Sequence, residues 1–187
     1  MGKDHECCSH NSNQVSTQVG KPAPDFTCQA LVGGEFKEIS LSDYRGKWVL
    51  LYFYPLDFTF VCPTEIGAIN DAVPQFEKLN CQVIAASTDS VYSHLAWTER
   101  QPELRNMAHP MLGDTAHTVS RAYRVLIEEE GIALRGSFFI DPDGVLQWIN
   151  INGKDTGRNV DELLRVLAAL QSGGLTPCNW KPGDATL

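Results

Sequence analysis

Trp48-Val49-Leu50-Leu51-Tyr52-Phe53-Tyr54-Pro55-Leu56-Asp57-Phe58-Thr59-Phe60-Val61-Cys62-Pro63-Thr64-Glu65 is the stretch from which the fold is read. Its first seven residues are a continuous apolar and aromatic run, closed by Pro55. That is the pattern of a central strand buried on both faces. Beyond Pro63, the residues Ile66, Ile69, Val73, Phe76 and Leu79 recur at spacings of three and four. This period predicts an amphipathic helix. A proline is tolerated in a first helical turn, where its missing N–H has no partner to lose. Pro63 therefore marks the helix start, and Thr59 or Cys62 falls near the N-cap. Pro74 sits deeper and is expected to kink the helix. Strand, turn and helix together set Cys62 just past a strand end, where open α/β sheets put ligand and catalytic sites.

Working outward, Phe26–Leu31 and Glu35–Leu41 flank Gly33-Gly34, a hairpin signal. Val83–Ala86 reads as a second buried strand. Ser87-Thr88-Asp89-Ser90 then offers N-caps for a helix through about Arg100. Residues 101–110 read as a loop and Asp114–Arg124 as a helix. Ala133–Ile140 and Val145–Ile151 form a second hairpin across Asp141-Pro142-Asp143-Gly144. Val160–Leu170 is a last amphipathic helix, stopped by Gly173-Gly174. Strands alternate with helices, and hairpins stand near both ends. The fold class is α/β: a mixed sheet flanked by helices, with an N-terminal hairpin and a C-terminal tail. The expected organisation is a flexible polar tail over 1–19, one domain over 20–170, and a C-terminal segment over 171–187.

The charge balance narrows the function. With 15 Lys and Arg against 23 Asp and Glu, the 187-residue chain carries a net −8. That excludes nucleic acid and anionic membrane surfaces as natural partners, since both need a basic face. The longest apolar run is too short to span a bilayer. The N-terminus lacks the apolar region of a secretory signal, so a reducing, cytoplasmic location is expected. Six cysteines contain no Cys-x-x-Cys pair, which removes zinc-ribbon and thioredoxin-type active-site patterns.

Cys62 has the setting of a reactive thiol. At a helix start it faces free backbone N–H groups and the positive end of the dipole, which favour thiolate over thiol. A nearby cation adds to that. The bland alternative is a thiol packed in the core as a small hydrophobe. Cys28 and Cys81 lie in strand-like contexts and fit that bland reading. His5, Cys7, Cys8 and His10 could take a soft metal or a modification, but adjacent cysteines chelate one metal poorly, and a disordered tail is the preferred reading. The five histidines show no metal spacing, so no metal is expected.

Pro55-x-x-x-Thr59-x-x-Cys62 resembles the peroxiredoxin active-site motif, and Phe53–Glu65 as a whole resembles the typical two-cysteine subgroup. The resemblance runs from about Lys21 to Leu187. It is carried further by His94-Leu95-Ala96-Trp97, by Gly131–Gly136 and by Phe138-Phe139-Ile140-Asp141. The closing stretch Pro177–Leu187 is similar to the C-terminus of bacterial alkyl hydroperoxide reductase C proteins.

This resemblance implies a thioredoxin-like fold and a cofactor-free thiol peroxidase acting on hydrogen peroxide and alkyl hydroperoxides. It makes Cys62 the peroxidatic nucleophile, oxidised to a sulfenic acid. It sets Arg135 beside the thiolate as charge partner and peroxide donor, although alone Arg135 reads as a solvated strand-end charge. Thr59 is to present its hydroxyl to thiolate or peroxide, Pro55 to shield the thiolate from water, and Glu65 to orient the arginine. Cys178 is to be the resolving cysteine, reaching Cys62 of a partner chain once the first helical turn unwinds. Implied partners are peroxide, a thioredoxin-like or dedicated disulfide reductase, and further copies in a dimer that assembles into a decameric ring. A cysteine hydrolase would need a histidine base, and no motif ties one to Cys62. A binding oligomer with little turnover is the other competitor, separated by peroxide consumption with a dithiol.

Overall fold

Strand β3 (Trp48–Phe53) alternates its side chains between two cores. Leu50, Tyr52 and the following Tyr54 enter one layer with Ile66, Ile69, Val73 and Phe76 of α1 (Cys62–Lys78). The same layer takes Leu163, Val166 and Leu167 of α4 (Val160–Gln171). Val49, Leu51 and Phe53 enter the other layer, with Val119 of α3 (Thr118–Ala122), Tyr123 and Val125. Each large side chain buried in this way contributes about 1.5–3 kcal/mol. A strand with two apolar faces can only lie inside a covered sheet, as the apolar run requires.

The computed structural model describes residues 17–187. The remaining elements are β1 (Thr27–Val32), β2 (Glu35–Ser40), β4 (Cys81–Ser87), α2 (Val91–Arg100), β5 (Met111–Gly113), β6 (Leu126–Ile127), β7 (Ile132–Ala133), β8 (Arg135–Ile140) and β9 (Leu146–Asn152). Seven strands form one sheet in the order β2-β1-β5-β4-β3-β8-β9, and β6 and β7 make a separate small hairpin. β3 runs parallel to β4 and antiparallel to β8, so the sheet is mixed. Ser90 caps α2 by accepting from Ser93 N at 3.2 Å. Asn159 caps α4 through Glu162 N at 3.1 Å, and Gly173 ends that helix at φ 71°.

Several details differ from the sequence reading. The strand expected over Ala133–Ile140 divides into β7, which pairs with β6, and β8 of the main sheet. The helix expected over Asp114–Arg124 shrinks to Thr118–Ala122, because His117 takes a left-handed conformation at φ 57°. The Asp114 carboxylate then receives Val119 N at 3.1 Å and Ser120 N at 2.7 Å. β5 is a strand inside the sheet, between β1 and β4, that its three residues were too few to announce. The loop 101–110 carries a 3-10 turn, Pro102–Leu104, whose Leu104 is fully buried in the layer of α1. Gly67 permits that approach, since a Cβ there would sit 3.3 Å from the Glu103 carbonyl oxygen.

Pro74 lies inside an α1 that continues through it. The expected flexible tail over 1–19 falls mostly outside the described residues, as do His5, Cys7, Cys8 and His10. Within reach, Thr17 Oγ1 donates to the Ala122 carbonyl at 2.5 Å and Gly20 N to that of Leu146 at 2.7 Å. At the other end the tail folds back on α4. Trp180 is buried, its Nε1 donates to the Asp184 carbonyl at 3.1 Å, and its own carbonyl accepts from Arg165. Among the described residues no helix is long and apolar enough to cross a membrane.

Candidate active site

Past β3 the chain leaves the sheet through a buried Pro55 and re-enters order at α1. The N-cap is Val61, whose side chain caps nothing, so Cys62 becomes the first helical residue and Pro63 lies in the first turn. Thr59 is not the cap. It is half-buried, and its hydroxyl donates to the Leu56 carbonyl at 3.0 Å.

Cys62 is fully buried, and its Sγ accepts from Arg135 Nη1 at 3.4 Å. Arg135 opens β8 with a side chain only 4% exposed, which corrects the solvated strand-end reading. Its Nη1 also donates to Glu65 Oε2 at 2.5 Å, and its Nε to the Lys154 carbonyl at 2.7 Å. Glu65 stands three residues after Cys62 on α1, hence on the same helical face. Of the sequence-derived residues, Arg135 therefore contacts both Cys62 and Glu65.

Arg158 completes the cluster, and the sequence reading missed it. Its backbone N donates to Glu65 Oε1 at 2.7 Å and its Nη1 to Glu65 Oε2 at 3.2 Å. Its Nε donates to Ser137 Oγ at 2.9 Å, and its Nη2 to the carbonyls of Gly136 and Phe53. Burial lowers the Arg158 pKa, with the Glu65 charge working against that. One signal was available: Arg158 precedes the N-cap Asn159, at the end of a helix where a cation is disfavoured. Two buried guanidinium groups face one carboxylate, a surplus of one positive charge. Buried charge is costly unless it is balanced, and this surplus lies against the Cys62 sulfur.

A second buried cluster fixes the loop between Pro55 and Cys62. Tyr54 Oη donates to Asp57 Oδ1 at 2.8 Å. His94 Nδ1 contacts Asp57 Oδ2 at 2.8 Å, and His94 Nε2 contacts the Leu112 carbonyl at 3.0 Å. Asp57 N donates to Asp89 Oδ2 at 2.9 Å. Both imidazole nitrogens thus face acceptors. Burial opposes charge on His94, but the hydrogen bond to Asp57 and its carboxylate outweigh it, and the pKa is raised. The loop is stapled through these contacts to α2 and β5.

The other described cysteines are free thiols too. Burial pushes the Cys81 thiol up to about 12 and the Cys28 thiol up to about 11. Cys178 is exposed on the C-terminal segment. Among the described residues no group of three or more His, Cys, Asp and Glu side chains is placed to hold a metal ion.

Comparison with known proteins bears on this geometry. The model of the AhpC/TSA family matches residues 19–149. A thioredoxin peroxidase of Echinococcus granulosus is 57% identical over 179 residues, covering 92% of this chain and 93% of the relative. A peroxiredoxin of Cynops pyrrhogaster is 52% identical over 178 residues, covering 91% and 89%. The reduced 2-Cys peroxiredoxin of Plasmodium vivax superposes with a TM-score of 0.87 at 40% identity, covering 90% of this chain and 91% of that one. AhpC of Enterococcus faecalis gives 0.80 at 40% identity, covering 82% and 92%. With a family model spanning most of its length, relatives sharing half its residues and solved structures sharing its fold, the chain belongs to the AhpC/TSA family and is a peroxiredoxin.

Proposed function

We propose that this peroxiredoxin, a thiol peroxidase, reduces peroxide through Cys62, with Arg135 as the donor that holds both sulfur and substrate. The observation that carries the reading is the Arg135 Nη1 to Cys62 Sγ contact of 3.4 Å inside a buried site. The thiolate sulfur attacks one peroxide oxygen. An S–O bond forms as the O–O bond breaks. The departing oxygen takes a proton and leaves as water or an alcohol. Sulfur is oxidised by two electrons, peroxide is reduced by two, and Cys62 becomes a sulfenic acid. Fixed guanidinium donors in a dry pocket stabilise charge as it moves from sulfur to the leaving oxygen. Pro55, buried at the strand end, keeps water out. Glu65 holds the arginines in place. Thr59 can offer its hydroxyl to the peroxide only by turning it from the Leu56 carbonyl.

Cys178 then attacks the sulfenic acid, forming a disulfide and releasing water. Cys62 is buried and Cys178 exposed, so this step needs the first turn of α1 to unwind locally. The second thiol comes from a partner chain, within a dimer that assembles into a decameric ring. A thioredoxin-like or dedicated disulfide reductase supplies the dithiol that returns both cysteines to the reduced state. Non-reducing electrophoresis after mild peroxide treatment tests the assignment. Peroxide is expected to give a covalent dimer that dithiothreitol reverses, lost in both Cys62→Ser and Cys178→Ser. A dimer persisting undiminished in Cys62→Ser would sink it.

A further inference from the structure

Arg135 Nη1 is shared. It lies 3.4 Å from Cys62 Sγ and 2.5 Å from Glu65 Oε2, so a carboxylate competes with the sulfur for one donor. How hard Glu65 pulls depends on how much of its charge Arg158 takes. Arg158 meets Glu65 through its backbone N at 2.7 Å and its Nη1 at 3.2 Å. Besides the Gly136 and Phe53 carbonyls, a layer of polar side chains beneath Arg158 holds it there. Ser137 Oγ accepts from its Nε at 2.9 Å, and the Tyr52 ring lies under its Cζ at 5.2 Å. Tyr52 of β3 and Ser137 of β8 are cross-strand partners, which sets their side chains on one face. A cation over an aromatic face is attracted to it, most strongly when water is excluded.

The layer continues to a buried histidine. Tyr52 Oη and His109 Nε2 are 2.8 Å apart, both fully or nearly fully buried. Burial lowers His109 to about 3, so its ring is neutral and Nε2 can accept the phenol proton. A phenol that donates to a base has a more electron-rich ring, which is the ring Arg158 covers. His109 Nδ1 has no hydrogen-bond partner among the described residues. An unpaired buried nitrogen is costly, and an apolar pair of the same size would avoid that cost. The bond therefore does more than fill space.

We propose that Ser137, Tyr52 and His109 are positioning residues that keep Arg158 on Glu65, leaving Arg135 available to the Cys62 sulfur. The inference rests on the reading of Cys62 as the reacting thiol. The full chain, its Ser137→Ala, Ser137→Thr and Tyr52→Phe variants, and Cys62→Ser are compared by two measurements. One is the rate of peroxide reduction. The other is alkylation of Cys62 by iodoacetamide as a function of pH, which follows the thiolate without peroxide. Ser137→Ala is expected to slow peroxide reduction roughly tenfold, the scale on which supporting contacts act. Its alkylation profile moves to higher pH, and Ser137→Thr, which keeps the hydroxyl, restores both. Tyr52→Phe keeps the ring and loses the link to His109, and it is expected to shift both readouts in the same direction by a smaller factor. It decides the question alone if Ser137→Ala does not fold. Alkylation profiles that stay at the parent pH, even with lowered thermal stability, reduce the layer to packing and overturn the proposal. Peroxide reduction surviving in Cys62→Ser instead overturns the underlying assignment.

Discussion

Cys62 and Cys81 occupy the same apolar layer, and each opens a secondary-structure element, α1 and β4. Both are buried free thiols. Their neighbours separate them. The hydrogen-bond partner of Cys81 Sγ is the Gln82 carbonyl at 3.8 Å, and burial drives its pKa to about 12. Cys62 Sγ receives an arginine N–H, with a second guanidinium and a carboxylate behind it. Burial by itself silences a thiol, because it penalises the thiolate. Cys62 instead lies at a helix start beside a surplus cation, the kind of setting that in general favours a thiolate. On the proposed reading, the two thiols differ in reactivity through three polar neighbours and not through exposure.

The contrast can be broken most forcefully at Arg135. Arg135→Ala removes the donor on sulfur, and peroxide reduction is expected to fall about 10²- to 10³-fold, as when one preorganised donor is lost elsewhere. Rapid-mixing measurement of the reaction with peroxide checks this, and an unchanged rate removes Arg135 from the site. Arg158→Ala leaves the Glu65 carboxylate with Arg135 as its one cationic partner in the cluster and opens a hole in the buried network. Breaking a buried ion pair costs about 3–5 kcal/mol, so the urea midpoint should drop steeply. A midpoint equal to the parent's would mean that water already screens the cluster.

The loop staple is expected to act more gently and through pH. His94 has a raised pKa in the fold, so its contribution is fully present below its unfolded value of about 6.5. That contribution is lost as pH rises through the higher folded value. The parent is expected to lose stability relative to His94→Leu on that climb, read from urea midpoints measured across the range. A constant difference between the two would show that His94 does not change its proton on unfolding. Smallest of all is Cys81→Ala, expected to leave the peroxide rate unchanged and to cost about 1 kcal/mol of stability through lost packing. A slowed rate would mean that Cys81 takes part after all.

Much of this site could be read in the chain, for physical reasons that also explain the gaps. Periodicity and a first-turn proline located α1 and put Thr59 or Cys62 near its start, while the role of Glu65 came only through the resemblance. Arg135 was legible only by resemblance, since a lone arginine at a strand end is ordinarily solvated. Arg158 sits in the turn before α4, where no period organises the residues, and its meaning depends on Glu65 from ninety-three positions earlier. The central strand β3 was plain because two buried faces leave an unbroken apolar run. β5 was not, because three residues show no alternation. The helix around Asp114 was overextended because a left-handed His117 leaves no mark in composition.

The claim that polar neighbours, not burial, single out one thiol is tested most directly by trapping the first oxidation product. Cys178→Ser protein, which cannot complete the disulfide, is treated with one equivalent of hydrogen peroxide in the presence of dimedone and digested for peptide mass spectrometry. The account expects the dimedone adduct on Cys62, with Cys28 and Cys81 unlabelled. An adduct on Cys81 or Cys28 comparable to that on Cys62, or none on Cys62, would contradict it.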